Sequence, residues 1–452
     1  MNKFIALLAF IPVLAHASID QAPPKFNYAD GKAVFVDFQN ARYDITYDVL
    51  NKSVAVESII TFDAPNAGYP VFDLVADPSE VILDGSIITT EATPDPDKQT
   101  TLRIMQQKIA AGSHELKIKH NITTNVVFNE GAVASGFWMS DLNDRRYLEQ
   151  YLPSNLEFDQ YQMDMKVNII GADAAHTLKA NGNISKTGDN SFEVSFPDFY
   201  SASSVYFHLF RENNFSSNIQ FYYPSIDGRL IPVDIYTIYD ANEFASATRT
   251  ILAELESDYG PFPHNQVIIY GNAPSGGMEH SGATITSLRA LGHELFHSYH
   301  ARALMPANGN AGWMDEAIAR WRDNNYPLTE KLNFESTRVA GHSLWSRMTD
   351  RMAYTEGSAF LSWIAHRMNE KNLSFKSFLR EYFQEFKYTT VTTQLFQQEL
   401  SDASGLDLSA DFAKYVYGQG SVQKSNHKFH FHEENPFHPV FTEKQLLEMT
   451  WL

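Results

Sequence analysis

His293, Glu294 and His297 stand in the order His-Glu-x-x-His (HELFH), and Glu316 follows after 18 residues, 298 through 315. Residues four apart on a helix share a face, so a helical reading turns both imidazoles the same way. Residues 288–304 contain no proline, and no glycine after Gly292, and read as that helix; residues 315–325 read as a second, carrying Glu316. Two imidazoles and a carboxylate supply three ligands for one zinc ion (Zn2+) and leave the fourth tetrahedral position to water, as catalytic rather than structural zinc requires. Glu294, beside the ligands, is placed as general base toward that water. A chain with 16 histidines can produce such a motif by chance; the glutamate on a second helix sets this one apart. The chemistry implied is hydrolysis at a single zinc ion.

Three further stretches carry side chains of the right kind. Residues 276–280 (GGMEH) are Gly276, Gly277, Met278, Glu279 and His280. Residues 353–357 (AYTEG) hold Tyr354. Residues 136–153 (GFWMSDLNDRRYLEQYLP) hold Glu149 and Gln150. With the zinc spacing, these stretches resemble the aminopeptidase N-like gluzincins, zinc metallopeptidases with an HExxH-x18-E signature. The resemblance runs over residues 33–420 in order and character, and is specific at the short motifs.

What that resemblance implies can be carried over residue by residue. His293, His297 and Glu316 match the zinc ligands, and Glu294 the general base. GGMEH is similar to the family's GAMEN exopeptidase motif. Its glutamate, here Glu279, binds the substrate's α-amino group, while the backbone of the preceding residues, here Gly276, Gly277 and Met278, pairs with the peptide. A carboxylate near the scissile carbonyl can hold an ammonium and so measure one residue from the chain end. Gly277 stands in place of Ala and His280 in place of Asn, a version that also looks like the glycyl aminopeptidases. Tyr354 matches the tyrosine of a Y-x-K-G turn that donates its hydroxyl to the tetrahedral oxyanion, with Glu356 where the lysine usually stands. Gln150 matches the glutamine of a substrate-binding T-Q-x-E segment, but Leu152 falls where a second amine-binding glutamate is common. Asp315 replaces a usual Asn, either steadying a ligand or capping its helix.

These departures leave three readings: a zinc aminopeptidase first, a zinc endopeptidase or dipeptide-releasing enzyme of the same fold second, and an exported binding protein with a vestigial zinc site third. Peptides are the expected partners. The formal charge of −19, with no basic run to offset it, argues against nucleic acid. Oligomeric state is left open.

The remaining sequence has to position this chemistry. A chain of 452 residues with 44% hydrophobic content implies large cores and two to three domains. Residues 1–17 read as a secretory signal peptide: Lys3, an apolar run over 4–14, and an Ala15-His16-Ala17 cleavage site. That run is too short to be a stable membrane anchor, and no later segment reads as a membrane-spanning helix. The absence of cysteine excludes disulfides and thiolate ligands. An exported protein, periplasmic or extracellular, is expected.

The expected fold class is α+β and multidomain: an N-terminal all-β sandwich or saddle domain over 18–225, then a largely helical catalytic domain over 226–420 resembling that of thermolysin. Short strands read at 42–49, 53–62, 81–89, 101–105 and 114–120, separated by turn-rich pieces. Helical periodicity follows at 243–259, 358–369, 376–386, 392–400 and 408–417, with a strand at 266–270 and an edge strand within 276–288. The tail, 421–452, holds His427, His430, His432 and His438 and is assigned no role.

Overall fold

The computed structural model describes residues 19–140, 147–215, 217–273 and 275–419. The expected signal peptide and the histidine-bearing tail lie outside them.

Two long strands, Asp37–Asp48 and Ser53–Ala64, organise the N-terminal half by alternation of buried and outward residues, interrupted in the first by a bulge between Phe38 and Asn40. Tyr43, Ile45 and Tyr47 on the first, and Val54, Val56, Ile60 and Phe62 on the second, are almost fully buried. They form the middle of an eight-stranded sheet, in which Gln162–Ile170 runs parallel to Asp37–Asp48 while the other pairs are antiparallel. A four-stranded sheet that includes Ala132–Gly136 and Phe207–Arg211 contributes Val133, Leu178, Phe207 and Leu209 to the same core. A third, five-stranded sheet packs a separate cluster around Phe35, Ile104 and Phe158.

The strand expected over 81–89 is instead a hairpin. Glu80–Leu83 and Ser86–Ile87 pair across Asp84-Gly85, which has φ of 50° and 79°. An Asp-Gly pair with both φ positive is the tight turn whose twist matches a two-stranded ribbon. Ser217–Pro224 pairs antiparallel with Leu230–Thr237 along its whole length, a hairpin that spans the expected boundary at 225/226.

The second half is built on this hairpin. Its mixed five-stranded sheet runs Ser217–Pro224, Leu230–Thr237, Val267–Tyr270, Ala283–Thr286, Gly277–His280, the last lying at the edge. Seven α-helices follow in the described residues: α1 (Ala241–Tyr259), α2 (Leu291–Phe296), α3 (Trp313–Asp323), α4 (Glu356–Glu370), α5 (Phe375–Phe386), α6 (Thr393–Ser404) and α7 (Ser409–Tyr415). Helix α1 begins where the Asp240 side chain accepts from the Asn242 N–H and ends at Gly260, whose φ of 100° suits a residue without Cβ. Its Phe244, Leu252, Leu255 and Tyr259 face the core that also takes Leu291, Leu295, Trp313 and Phe360.

The helix expected over 288–304 is much shorter, spanning Leu291–Phe296. Past His297 the chain folds into a compact turn: Arg302 N–H donates to His297 O at 3.0 Å, Leu304 N–H donates to Tyr299 O at 3.0 Å, and Ala301 has φ of 141°. Leu304–Pro306 then pairs with Thr389–Val391. Nothing in the local propensity of HSYHARA stops a helix; these long-range contacts do, and they bring Arg302 back toward the sheet edge.

Candidate active site

Helix α2 carries His293 and Glu294 in its single well-formed stretch, with His297 as its C-terminal cap residue. Helix α3 carries Glu316 in its first turn. His293, His297 and Glu316 are all buried, and one ligand atom from each lies within 4.8 Å of the others. Glu316 Oε2 is 3.2 Å from His293 Nε2 and 3.5 Å from His297 Nε2. Two donors on one tetrahedral zinc at bond lengths of about 2.0–2.1 Å stand about 3.3 Å apart, so this spacing fits the ion.

The remaining nitrogen of each ring is already committed. His293 Nδ1 is 2.7 Å from Asp323 Oδ2, and His297 Nδ1 is 3.1 Å from the His300 carbonyl. Partners on Nδ1 leave Nε2 to face a metal and fix each ring's orientation. Burial opposes charge on His293, but Asp323 and Glu316 outweigh it and push its pKa up to about 10. At His297 burial is likewise outweighed, there by Glu279 and Glu316, again to about 10. The pocket is therefore an electronegative one that holds positive charge, in the form of protons when no metal competes.

Sequence reasoning had missed Asp323. It lies seven residues beyond Glu316, two helical turns along one face, so the period of α3 was the available signal. It had likewise missed the His300 carbonyl, which no side-chain pattern announces. Asp315 accepts from the Glu316 N–H at 2.7 Å, which steadies the first turn that presents the third ligand.

The edge strand Gly277–His280 runs beside α2, and each residue of its motif has a distinct use. Gly276 has φ of 68° and its carbonyl accepts from Ser287 N–H at 2.9 Å, closing the hairpin. Gly277 passes so close to the general-base candidate that an added Cβ would stand 2.5 Å from Glu294 Cγ and Cδ. Met278 buries its side chain in the N-terminal core. Glu279, 1% exposed, receives Arg302 Nη2 on Oε1 at 2.7 Å, while Arg302 Nε donates to its carbonyl at 3.3 Å. His280 Nδ1 lies 2.9 Å from Val205 O, and burial with Arg302 nearby depresses its pKa to about 3, leaving it neutral.

Tyr354 closes the group from a third direction. It ends the short 3₁₀ turn Arg351–Tyr354, whose Asp350 cap accepts from Met352 N–H at 2.8 Å, and its ring stacks 6.3 Å from the His293 ring. Gly357 lets α4 press against α3, since a Cβ there would lie 3.2 Å from Ala317 Cβ. Gln150 and Glu149 sit in the turn Leu148–Gln150. The Gln150 amide donates to Trp138 O at 3.1 Å and Tyr147 O at 3.5 Å, within its own loop. Glu149 is buried and paired with Arg347 Nη2 at 2.9 Å, so its charge is spent away from any substrate amine.

No protein-family model matches the sequence, and no curated protein matches it. Solved structures do. The described residues share the fold of the zinc metallopeptidases called M1. An M1 zinc metallopeptidase from Deinococcus radiodurans is similar at a TM-score of 0.59 and 14% identity, covering 86% of this chain and 96% of that one. Yeast LTA4 hydrolase, solved with bestatin, is similar at a TM-score of 0.61 and 12% identity, covering 90% and 72%. Legionella pneumophila aminopeptidase A, solved with aspartic acid, is similar at a TM-score of 0.61 and 14% identity, covering 87% and 51%.

Proposed function

We propose that this chain is a zinc-dependent peptidase that removes residues from the amino terminus of peptides, acting after export from the cytoplasm. The observation that carries the reading is the buried His293–His297–Glu316 donor set, with Glu294 on the same short helix and Tyr354 stacked over His293. A non-catalytic zinc site has no need of the last two. The M1 fold supports the same class, one of its neighbours having been solved with a Tyr-Ser-Ala substrate.

His293, His297 and Glu316 hold the ion. A zinc ion there supplies Lewis acidity, acidifying water and polarising a carbonyl. Glu294 accepts the proton of the attacking water and returns it to the leaving amine nitrogen as the C–N bond breaks. The Tyr354 hydroxyl donates to the oxygen that becomes negative in the tetrahedral state. The outer side of Gly277–His280 offers its backbone to an extended peptide, and Glu279 at its far end meets the α-ammonium.

One observation favours a second reading. Arg302 offsets the charge of Glu279, and Glu149 is held by Arg347, so the pull on a substrate ammonium is weaker than an unopposed carboxylate would give. An endopeptidase or dipeptide-releasing enzyme needs no such pull. The deciding experiment is hydrolysis of one peptide with free and with acetylated amino termini, first with zinc and then with a chelator. Chelator-sensitive cleavage of the free form alone is expected. Equal cleavage of both discards the exopeptidase reading and keeps the zinc peptidase; zinc uptake without cleavage of either discards catalysis.

A further inference from the structure

The segment that delivers Tyr354 is anchored far from the zinc ligands. Between α3 and α4 the chain crosses to the N-terminal half, where Ser343 donates to Asp97 and two larger side chains are buried. Trp345 is buried among Phe35, Val71, Ile104 and Phe158, with its ring 5.5 Å from that of Phe26 and 5.8 Å from that of Phe35. Two residues on, Arg347 reaches a buried pocket in the same half: Nη1 lies 2.5 Å from Asp73 Oδ2 and Nη2 lies 2.9 Å from Glu149 Oε1. These carboxylates sit on neighbouring segments stitched by the backbone, with Val75 N–H donating to Glu149 O and Asp73 exchanging both bonds with Ser154.

From Arg347 the chain turns straight into the site. Residues 346–349 lie flat against the run that leads into α3: a Cβ on Gly309 would stand 2.6 Å from Met348 O and 2.7 Å from Ser346 O, and one on Gly312 would meet the Thr349 hydroxyl. Asp350 then caps the Arg351–Tyr354 turn and is itself held by His342 Nε2 at 2.6 Å. Seven residues thus link a guanidinium fixed in one domain to a hydroxyl needed in the other, with the Glu316 helix packed alongside. Burial disfavours the Arg347 charge, but Glu149 and Asp73 outweigh it and keep the guanidinium protonated.

We propose that Arg347 is a positioning residue for Tyr354: by bridging Asp73 and Glu149 it sets where the Tyr354 hydroxyl stands relative to the zinc ligands. The inference rests on the oxyanion role given to Tyr354 above. A planar fork that satisfies two carboxylates at once fixes position more tightly than a point charge would, so Lys is an incomplete substitute.

The test is a double-mutant cycle in the full chain, read by kcat and KM on an unblocked peptide, with zinc content and melting midpoint measured alongside. Arg347→Met is expected to lower kcat at least about tenfold while KM stays within about threefold, the signature of an interaction made only in the transition state. Arg347→Lys should recover part of that loss. In a Tyr354→Phe background the same Arg347 change should move kcat by less than about twofold, because the group it positions is already gone. If Arg347→Met does not fold, Arg347→Lys is carried through the same cycle. Equal losses in both backgrounds, or an unchanged kcat in Arg347→Met and Arg347→Lys, overturn the proposal and leave Arg347 a structural ion pair. Full activity of Tyr354→Phe alone overturns the role of Tyr354 and the proposal with it.

Discussion

Glu294 and Tyr354 come from different elements, α2 and the turn Arg351–Tyr354, and their proposed roles differ in kind. Glu294 moves a proton, so its amide cannot replace it; Tyr354 donates a hydrogen bond, so its loss leaves the other steps intact. Glu294→Gln is therefore expected to lose about 10²–10⁴-fold in kcat while binding zinc as the parent does. Tyr354→Phe should lose about 10²–10³-fold, equivalent to about 2.7–4 kcal/mol of transition-state stabilisation. Steady-state kinetics beside metal analysis separates the two from ligand damage; a fully active Glu294→Gln protein would sink the mechanism. Glu294 was readable with the ligands because that chemistry needs particular side chains at particular spacings, which α2 and the first turn of α3 keep local; Tyr354, on the separate turn Arg351–Tyr354, was reached only through the family resemblance. Arg302 was invisible for the converse reason. Nothing in its own stretch of sequence says that it pairs with Glu279, 23 residues earlier in the chain and adjacent only through the turn at Ala301.

Elements reveal where periodicity stops being informative. A period of 3.6 marks α1, α4 and α5, each of which buries one face against the shared core, whereas α3 is buried nearly all round. A reading from the absence of Pro and Gly breakers overran α2, where helix propensity continues but the His300 carbonyl turns back to His297 Nδ1, a direction that no longer feeds a helical hydrogen bond. The strand reading, which rested on alternation, likewise ran past Asp84-Gly85, where two positive φ values reverse the strand. In both places a local signal was overruled, by tertiary contact in the first and by unread turn chemistry in the second. The edge strand carries its own test. Gly277 lies close against α2, and Glu294 is what a Cβ there would strike. Gly277→Ala should leave zinc content unchanged and lower kcat by about 10²-fold, the typical effect of shifting a reacting group by about 1 Å. Unimpaired kinetics in that variant would mean that Glu294 is not held where the strand places it.

At the scale of the whole molecule, the question is whether the two halves behave as one body. Their seam is polar as well as apolar. Met278, from the catalytic sheet edge, buries its side chain in the N-terminal core. Asn181 Nδ2 donates to Ser204 O and Ser281 O at 2.7 Å each, Gln160 donates to Tyr388 O, and Arg347 bridges two carboxylates. Separating the halves would expose a methionine and leave buried charges without partners, and breaking a buried ion pair by itself costs about 3–5 kcal/mol. Cooperative unfolding follows, even though His293, His297 and Glu316 all belong to one half. Zinc bound only by the folded form adds stability by mass action, about 2.7 kcal/mol when its free concentration is about 100 times the dissociation constant. Calorimetry with and without a chelator should show one transition that moves as a whole when the metal is removed. Met278→Ala, which removes a side chain worth about 2–5 kcal/mol from the far core, should lower that same single transition. Two peaks, of which zinc moves only one and Met278→Ala only the other, would mean that the seam does not transmit stability, and that the catalytic half holds its site without the β domain.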